Sequence, residues 1–72
     1  YSVQVGAFQN EAAAQSLQRS LSRRYTDVVV QNPSADNLYR VRVGHLANLT
    51  LAKKVEKALR IEGFKPMIVH LD

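Results

Sequence analysis

The sequence predicts an α+β domain whose elements follow the order strand, helix, strand, strand, helix, strand. Three observations predict this class. The chain matches itself when it is shifted by 38 residues. Each half opens with alternating apolar and polar residues followed by an amphipathic helical pattern, and closes with a second apolar run. At 72 residues, with 46% hydrophobic and 22% charged, the composition fits one folded domain rather than a disordered chain.

The internal repeat is carried by identical residues at equivalent places. The residues of the first half that recur 38 positions later are Tyr1, Val3, Val5, Gly6, Asn10, Ala14 and Leu21. They align with Tyr39, Val41, Val43, Gly44, Asn48, Ala52 and Leu59. Because the match needs no gap, each half is expected to fold as the same strand-helix-strand unit.

The first half begins with an alternating strand. The residues predicted to face the core are Val3, Val5 and Ala7, and those predicted to face away are Ser2, Gln4 and Gly6. Asn10 suits a helix N-cap, so the first helix is predicted from Glu11 to about Arg23. Its apolar positions at helical spacing are Ala13, Ala14, Leu17 and Leu21. The stretch 26–31 is rich in β-branched residues and predicts the second strand, with turn-forming residues at 32–37.

The second half repeats this pattern. Its first strand is predicted at 39–43, with Arg40 and Arg42 on the face away from the core. Asn48 is predicted to cap a helix that ends at Gly63. The inward residues of that helix are predicted to be Leu51, Ala52, Val55, Ala58 and Leu59. The last strand is predicted at 67–71, and Pro66 before it favours a place at the sheet edge.

These elements predict a ferredoxin-like (RNP-like) fold, with both helices on one face of a four-stranded antiparallel sheet. The first and third strands would be central, and the opposite face of the sheet would lie open. Gly6 and Gly44 stand where each strand meets the turn before a helix. A glycine there indicates either that neighbouring parts of the chain pack closely against the backbone or that a ligand can approach it.

Chemistry-bearing residues are few. The chain has no cysteine, and neither His45 nor His70 has a second ligand at metal-binding spacing. The carboxylates are scattered, and the three glycines stand apart from one another, so no catalytic or nucleotide-binding motif is present. We therefore expect no catalysis, metal or cofactor within these residues. The longest purely apolar run is far too short for a membrane span.

The open face is expected to bind a polar ligand. The amide of Gln4 suits hydroxyl and acetamido groups, and the guanidinium groups of Arg40 and Arg42 suit carboxylates. The alternative is that the arginines only keep the sheet soluble or pair with Asp36 or Asp72. The net charge of +4 also favours anionic partners, but Lys53, Lys54, Lys57 and Arg60 fall on a helix and need a separate explanation.

The stretches Val3-Gln4-Val5-Gly6-Ala7-Phe8, Asn10-Glu11-Ala12-Ala13-Ala14 and Tyr39-Arg40-Val41-Arg42-Val43-Gly44 resemble the SPOR (sporulation-related repeat) domain of bacterial cell-envelope proteins. Glu62-Gly63-Phe64 also fits the family, and the resemblance covers nearly the whole chain. The sequence departs from the family pattern at His45-Leu46, where relatives commonly have Pro-Phe after the glycine.

The chain starts at Tyr1 without an initiator Met, so 1–72 is expected to be one domain excised from a longer protein, and it is expected to be a monomer. The resemblance implies a non-catalytic periplasmic module that binds peptidoglycan glycan strands lacking stem peptides at the division septum. The positions carried over from the family are Gln4, Ala7 and Arg40, to which strand parity adds Ser2, Gly6, Phe8 and Arg42. Strand parity turns Phe8 outward only if the strand continues past Gly6, so Phe8 is either a ligand contact or part of the core. Neither nucleic acid nor membrane insertion is expected. The alternatives are single-stranded RNA binding on the same face, although the aromatic RNA-binding motif is missing, or a protein-interaction module that uses an edge strand or the basic helix.

Overall fold

The computed structural model describes residues 1–33 and 35–70. Its elements, in chain order, are β1 (Ser2–Phe8), α1 (Glu11–Leu21), β2 (Val28–Gln31), β3 (Tyr39–Val43), α2 (Leu49–Ile61) and β4 (Met67–Val69). The four strands form one antiparallel sheet in the order β2-β3-β1-β4. The predicted βαββαβ fold is therefore confirmed, with β1 and β3 in the centre and β4 at an edge.

The core lies between the helices and one face of the sheet. Its strand residues are Val3, Val5, Val28, Val41 and Val43, and its helix residues are Ala14, Leu21, Ala52 and Leu59. Because both helices contribute to this single cluster, they lie on the same side of the sheet and leave its other face open. Leu21 and Leu59 occupy equivalent places in the two halves and are fully buried, and burying each one stabilises the fold by roughly 2 kcal/mol.

Both helices begin at the predicted caps. The Asn10 Oδ1 accepts hydrogen bonds from the backbone N–H groups of Ala12 and Ala13, and the Asn48 Oδ1 accepts one from Leu51 at 3.0 Å. Each bond satisfies a backbone donor that has no partner inside the helix. Gly63, just beyond α2, has a φ of +98°, which is the left-handed conformation predicted for a helix C-terminus.

Some predicted boundaries and orientations are wrong. α1 stops at Leu21 rather than near Arg23, because the Leu21 carbonyl accepts from the backbone N–H groups of residues 24 and 25 and the chain turns there. β2 starts two residues late, since Asp27 has a φ of +55° and cannot continue an extended strand. The side chains predicted to be inward but found exposed are Ala13, Leu51 and Ala58. The last predicted strand residue, Leu71, lies outside the described part of the chain.

A β-bulge interrupts β1. Val3 pairs with Val43 and Gln4 with Arg42, but Gly6, not Val5, pairs with Val41. One residue of β1 is thus extra, so the alternation of side chains reverses beyond it. The inward direction predicted for Ala7 and the outward direction predicted for Gly6 are therefore wrong. Of the two alternatives for Phe8, the structure shows the core position.

The turn after β3 also has a local shape of its own. His45 has a φ of +64°, which a proline cannot adopt because its ring fixes φ near −65°. The next residue, Leu46, exchanges two backbone hydrogen bonds with Tyr1, at 2.9 and 3.0 Å. The His45-Leu46 pair, where relatives commonly have Pro-Phe, therefore forms a turn that joins the start of β1.

Candidate functional site

One row of side chains crosses all four strands on the open face. Gln4 of β1 lies opposite Arg42 of β3 on one side and Met67 of β4 on the other, and Arg42 lies opposite Val29 of β2. Residues directly opposite one another share a face of the sheet, and this face is opposite to the one that carries Val3 and Val43. The row is polar in the middle, while its apolar ends are 48% exposed at Val29 and 54% exposed at Met67.

A second row lies beside the first, toward the β2–β3 loop. Arg40 of β3 pairs with Gln31 of β2 and with Ala7 of β1. Ala7 and Gln31 are exposed, and Arg40 is half-buried. The bulge thus brings Ala7, the position carried over from the family resemblance, onto the same face as Gln4 and Arg42.

Gly6 and Phe8 lie on the helix side. A Cβ atom added to Gly6 would come within 3.1 Å of two ring atoms of Phe8 and 3.9 Å of Leu17 in α1. Phe8 itself packs against the core. The absence of a side chain at Gly6 therefore makes room for the Phe8 ring, so strand parity placed both residues on the wrong face.

Ser2 has the parity of the open face but is covered. It is only 1% exposed, and its Oγ donates a hydrogen bond to the Val43 carbonyl at 3.0 Å. The predicted ligand contact at Ser2 is corrected to a structural one, since the hydroxyl ties β1 to β3. Its register partner on β4 is Val69.

Arg40 is engaged by an acidic side chain of the chain itself. Its Nη1 donates to the Asp36 Oδ1 at 3.3 Å, and its Nη2 forms a short ion pair with the Asp36 Oδ2. The backbone N–H of Leu38 also donates to Oδ1, which fixes the carboxylate in the β2–β3 loop. These contacts lower the pKa of Asp36, chiefly through the Arg40 hydrogen bond, and raise the pKa of Arg40. The pairing considered for Asp36 is therefore present, whereas Asp72 lies outside the described residues.

Arg42 has no ion-pair partner within residues 1–33 and 35–70. Its side chain is half-buried, and its Nε–H is buried without a hydrogen-bond acceptor in the same part of the chain. A buried donor without a partner is unfavourable by about 1–3 kcal/mol. Rotation of this guanidinium toward an anionic group would let its Nε–H donate a hydrogen bond. Arg42 is therefore better placed than Arg40, which is already paired with Asp36, to bind a carboxylate of a ligand.

Sequence analysis missed Val29, Gln31 and Met67 as members of the open face. Val29 stands within three consecutive valines, so alternation could not reveal its direction. Gln31 and Met67 lie on the edge strands, and only their pairing with β3 and β1 places them beside the arginines and Gln4.

Other features do not form a second chemical centre in the described chain. No group of three or more His, Cys, Asp and Glu side chains there could hold a metal ion. His70 stacks on Tyr1 with ring centroids 4.8 Å apart. Across the same residues, neither helix has both the length and the apolar character needed to cross a bilayer.

Comparison with known proteins gives the chain a family. The family model of the SPOR domain matches residues 1–70. The crystal structure of the RlpA SPOR domain from Pseudomonas aeruginosa superposes with a TM-score of 0.84 at 27% sequence identity, covering 97% of both chains. The solution structure of the peptidoglycan binding domain of the B. subtilis cell wall lytic enzyme CwlC gives a TM-score of 0.78 at 26% identity, covering 99% of this chain and 87% of that one. No curated protein is significantly similar in sequence. The chain belongs to the SPOR domain family.

Proposed function

We propose that this domain binds peptidoglycan glycan strands on the open face of its sheet, without catalysing a reaction. The observation that carries the proposal is the pairing of Gln4 with Arg42 in the middle of that face. An amide and a guanidinium side by side suit a ligand that offers acetamido groups, hydroxyls and carboxylates together. The similarity to a domain of CwlC described as peptidoglycan binding supports the same ligand class.

The row from Val29 to Met67 is the proposed track of the strand. With neighbouring strands about 4.8 Å apart, four of them span roughly 15 Å, long enough for an extended oligosaccharide. The exposed Val29 and Met67 give the ends of this track apolar surface for sugar ring faces. The described part of the open face has no aromatic side chain for base stacking, so it does not favour RNA.

We further propose that the domain prefers glycan from which the stem peptides have been removed. A stem peptide is joined to the lactyl group of muramic acid through an amide, whereas its removal leaves a free carboxylate. Arg42 can form paired hydrogen bonds with a carboxylate but gains no charge attraction from an amide. A stem peptide would also have to fit between the glycan and the continuous row of side chains on the open face, which disfavours glycan that still carries peptides. Such glycan arises where amidases act, which supports a role in directing a larger envelope protein to the division septum.

The experiment that tests this function is a pull-down of the domain by purified sacculi, either treated with an amidase or untreated. Binding is expected to increase after treatment. The substitutions Gln4→Ala and Arg42→Gln are expected to lower retention about tenfold. Gln4→Ala should change the free energy of unfolding by only about 0.5 kcal/mol, and Arg42→Gln should not destabilise the fold, because it removes a buried donor that has no acceptor. Equal retention by the two kinds of sacculi would contradict the preference for stripped glycan.

A matched control is Lys65→Gln, which removes the same charge as Arg42→Gln from an exposed loop residue outside both rows of the open face. It is expected to be retained like the unmodified domain. If Lys65→Gln lowers retention as much as Arg42→Gln does, the binding depends on net charge and not on the proposed site.

A further inference from the structure

Most of the positive charge of this protein lies away from its open sheet face. Two segments that contain the helices, 9–25 and 48–66, hold eight Lys and Arg against three Glu, a balance of +5. The strands and remaining loops hold two Arg against three Asp, a balance of −1. The net charge of +4 therefore comes entirely from the helix side, which the proposed glycan site does not use.

The acidic residues of the helix side are placed away from most of these cations. Glu62 forms an ion pair with Arg24, and Glu56 forms one with Arg60 at 3.5 Å. Within the described chain, the cations of α1, α2 and the residues just after α1 that have no ion pair are Arg19, Arg23, Lys53, Lys54 and Lys57. We call these five residues the helix-layer surface.

The helix-layer surface is a single side of the molecule. Arg19 and Arg23 lie about half a turn away from the buried Ala14 and Leu21 when the helical repeat is continued past Leu21. Lys54 and Lys57 have the corresponding relation to the buried Ala52 and Leu59 of α2, and Lys53 lies about a third of a turn from them. Because both helices pack on the same face of the sheet, their outward sides point the same way. The five cations therefore lie on the helix side of the molecule, opposite Gln4 and Arg42.

A depression in this surface has the donors that a phosphate group needs. Ser16, Arg19, Ser20 and Arg23 line an open cleft of about 400 Å³. Their spacing of three, four and seven residues places them along one side of the helical path. Two guanidinium groups and two hydroxyls can donate to several oxygens of one tetrahedral anion, and arginine pairs with phosphate through two parallel N–H bonds.

We propose that the helix-layer surface binds a linear polymer of polyol phosphates, with one phosphate in the α1 cleft and its neighbours along Lys53, Lys54 and Lys57. Cations spread over two helices complement a chain of regularly spaced negative charges. A membrane surface fits less well, because helices that lie in a bilayer interface bury an apolar side there, and the apolar sides of α1 and α2 are buried in the core. The exposed apolar residues of α2 are Leu49 (40%), Leu51 (41%) and Ile61 (78%), and at 100° per residue they are spread around the helix rather than gathered on one side.

Nucleic acid, which is also a phosphodiester polymer, fits less well for a different reason. Proteins that bind single strands without sequence preference stack bases on aromatic side chains. Neither α1 nor α2 contains an aromatic residue. The proposed ligand therefore has phosphates but no bases.

The test is a titration of the 72-residue chain with a labelled poly(glycerol phosphate) oligomer, followed by fluorescence anisotropy at low and at physiological salt. We expect binding that weakens as salt rises. The double substitution Arg19→Gln and Arg23→Gln should weaken it about tenfold, since exposed charge contacts each contribute a few-fold in affinity. The matched control, Arg60→Gln with Lys65→Gln, removes the same charge from exposed residues outside the helix-layer surface and the open face, and it should change affinity less than threefold.

Three further arms decide the identity of the ligand. Anionic phospholipid vesicles, a single-stranded oligonucleotide and poly-glutamate, each matched in charge, are expected to bind more weakly than poly(glycerol phosphate). Equal or tighter binding to any of them overturns the proposal, as does equal weakening by the control variant. The Arg19/Arg23 variant should also keep its retention on amidase-treated sacculi, so failure of this surface and failure of the sheet site are separately visible.

Discussion

The two repeated glycines are equivalent in sequence but not in structure, and this difference predicts opposite responses to alanine. A Cβ at Gly6 would lie 3.1 Å from the Phe8 ring, whereas a Cβ at Gly44 would lie 3.5 Å from the Asp27 carbonyl oxygen and 3.6 Å from the Ser2 Oγ. The first distance requires the ring to move, and the others are ordinary contacts. Neither glycine is among the residues of positive φ, so backbone strain does not enter.

The magnitude follows from two opposing effects. Alanine in place of glycine stabilises by about 0.4–1 kcal/mol, because the unfolded chain loses freedom, wherever the native backbone accepts it. Overpacking a core contact is unfavourable by roughly 1–3 kcal/mol. Gly44→Ala is therefore expected to be neutral or slightly stabilising, and Gly6→Ala to be less stable than Gly44→Ala by about 1–2 kcal/mol. For a domain of this size that corresponds to a difference of very roughly 4–16 °C in Tm.

Urea unfolding followed by circular dichroism measures both variants. Adding Phe8→Leu removes the ring atoms that Gly6→Ala would meet, so the double variant should recover at least about 0.5 kcal/mol relative to the sum of the single changes. If Gly6→Ala proves as stable as Gly44→Ala, or if Phe8→Leu recovers nothing, the described packing of Phe8 over Gly6 is wrong.

The remaining predictions concern the ion pair, a buried hydroxyl and a cap. Asp36→Asn should free Arg40 and raise retention on amidase-treated sacculi about two- to fivefold; lower retention would mean that Asp36 positions Arg40 for the ligand. Because the pKa of Asp36 is lowered in the folded state, the stabilisation from its ion pair is complete above about pH 4 and lost as the pH falls through the lowered pKa. In acid unfolding, the unmodified domain should lose this ion-pair stabilisation as the pH falls, and the Asp36→Asn variant should show no such loss. Ser2→Ala should destabilise the fold by about 1–2 kcal/mol in urea unfolding, since it leaves the Val43 carbonyl unpaired, and an unchanged midpoint would contradict that role. Asn10→Ala should lower the free energy of unfolding by about 1 kcal/mol in the same assay, because α1 loses its N-cap. A change near zero would show that water replaces the hydrogen bonds of the Asn10 side chain.

Much of the fold could be predicted because local signals and the repeat agreed. The two asparagine caps, the glycine after α2 and the alternation in β3 each determined an element from a few neighbouring residues. The order of strands followed from the need to bury one apolar side of every element. The bulge in β1 could not be predicted, since Val5 and Gly6 fit an unbroken alternation equally well and only the pairing with Val41 shows the extra residue.

The candidate site was predictable only in part for the same reason. Gln4 and Arg42 lie before or outside the bulge and were placed on the correct face. Gly6 and Ala7 take the reversed alternation, so the directions predicted for them were wrong. The direction of Phe8 could not be decided from the sequence, because it depends on where the alternation breaks. The pairing of Arg40 was foreseen as one of several alternatives, because a carboxylate four residues away is within reach. That it is realised depends on the backbone N–H of Leu38, which donates to Asp36 and orients its carboxylate. The turn-forming residues at 32–37 predict a loop there but not the direction of this side chain.

The bulge in β1 also determines which chemical surface the open face presents. Val5 and Gly6 both stand opposite Val41, so the strand beyond them turns Ala7 toward the arginines and Phe8 toward the core. If the same sequence paired with β3 in unbroken register, Phe8 would instead face the open side. A local irregularity of the backbone, without any change of sequence, therefore keeps an aromatic ring away from the polar ligand surface.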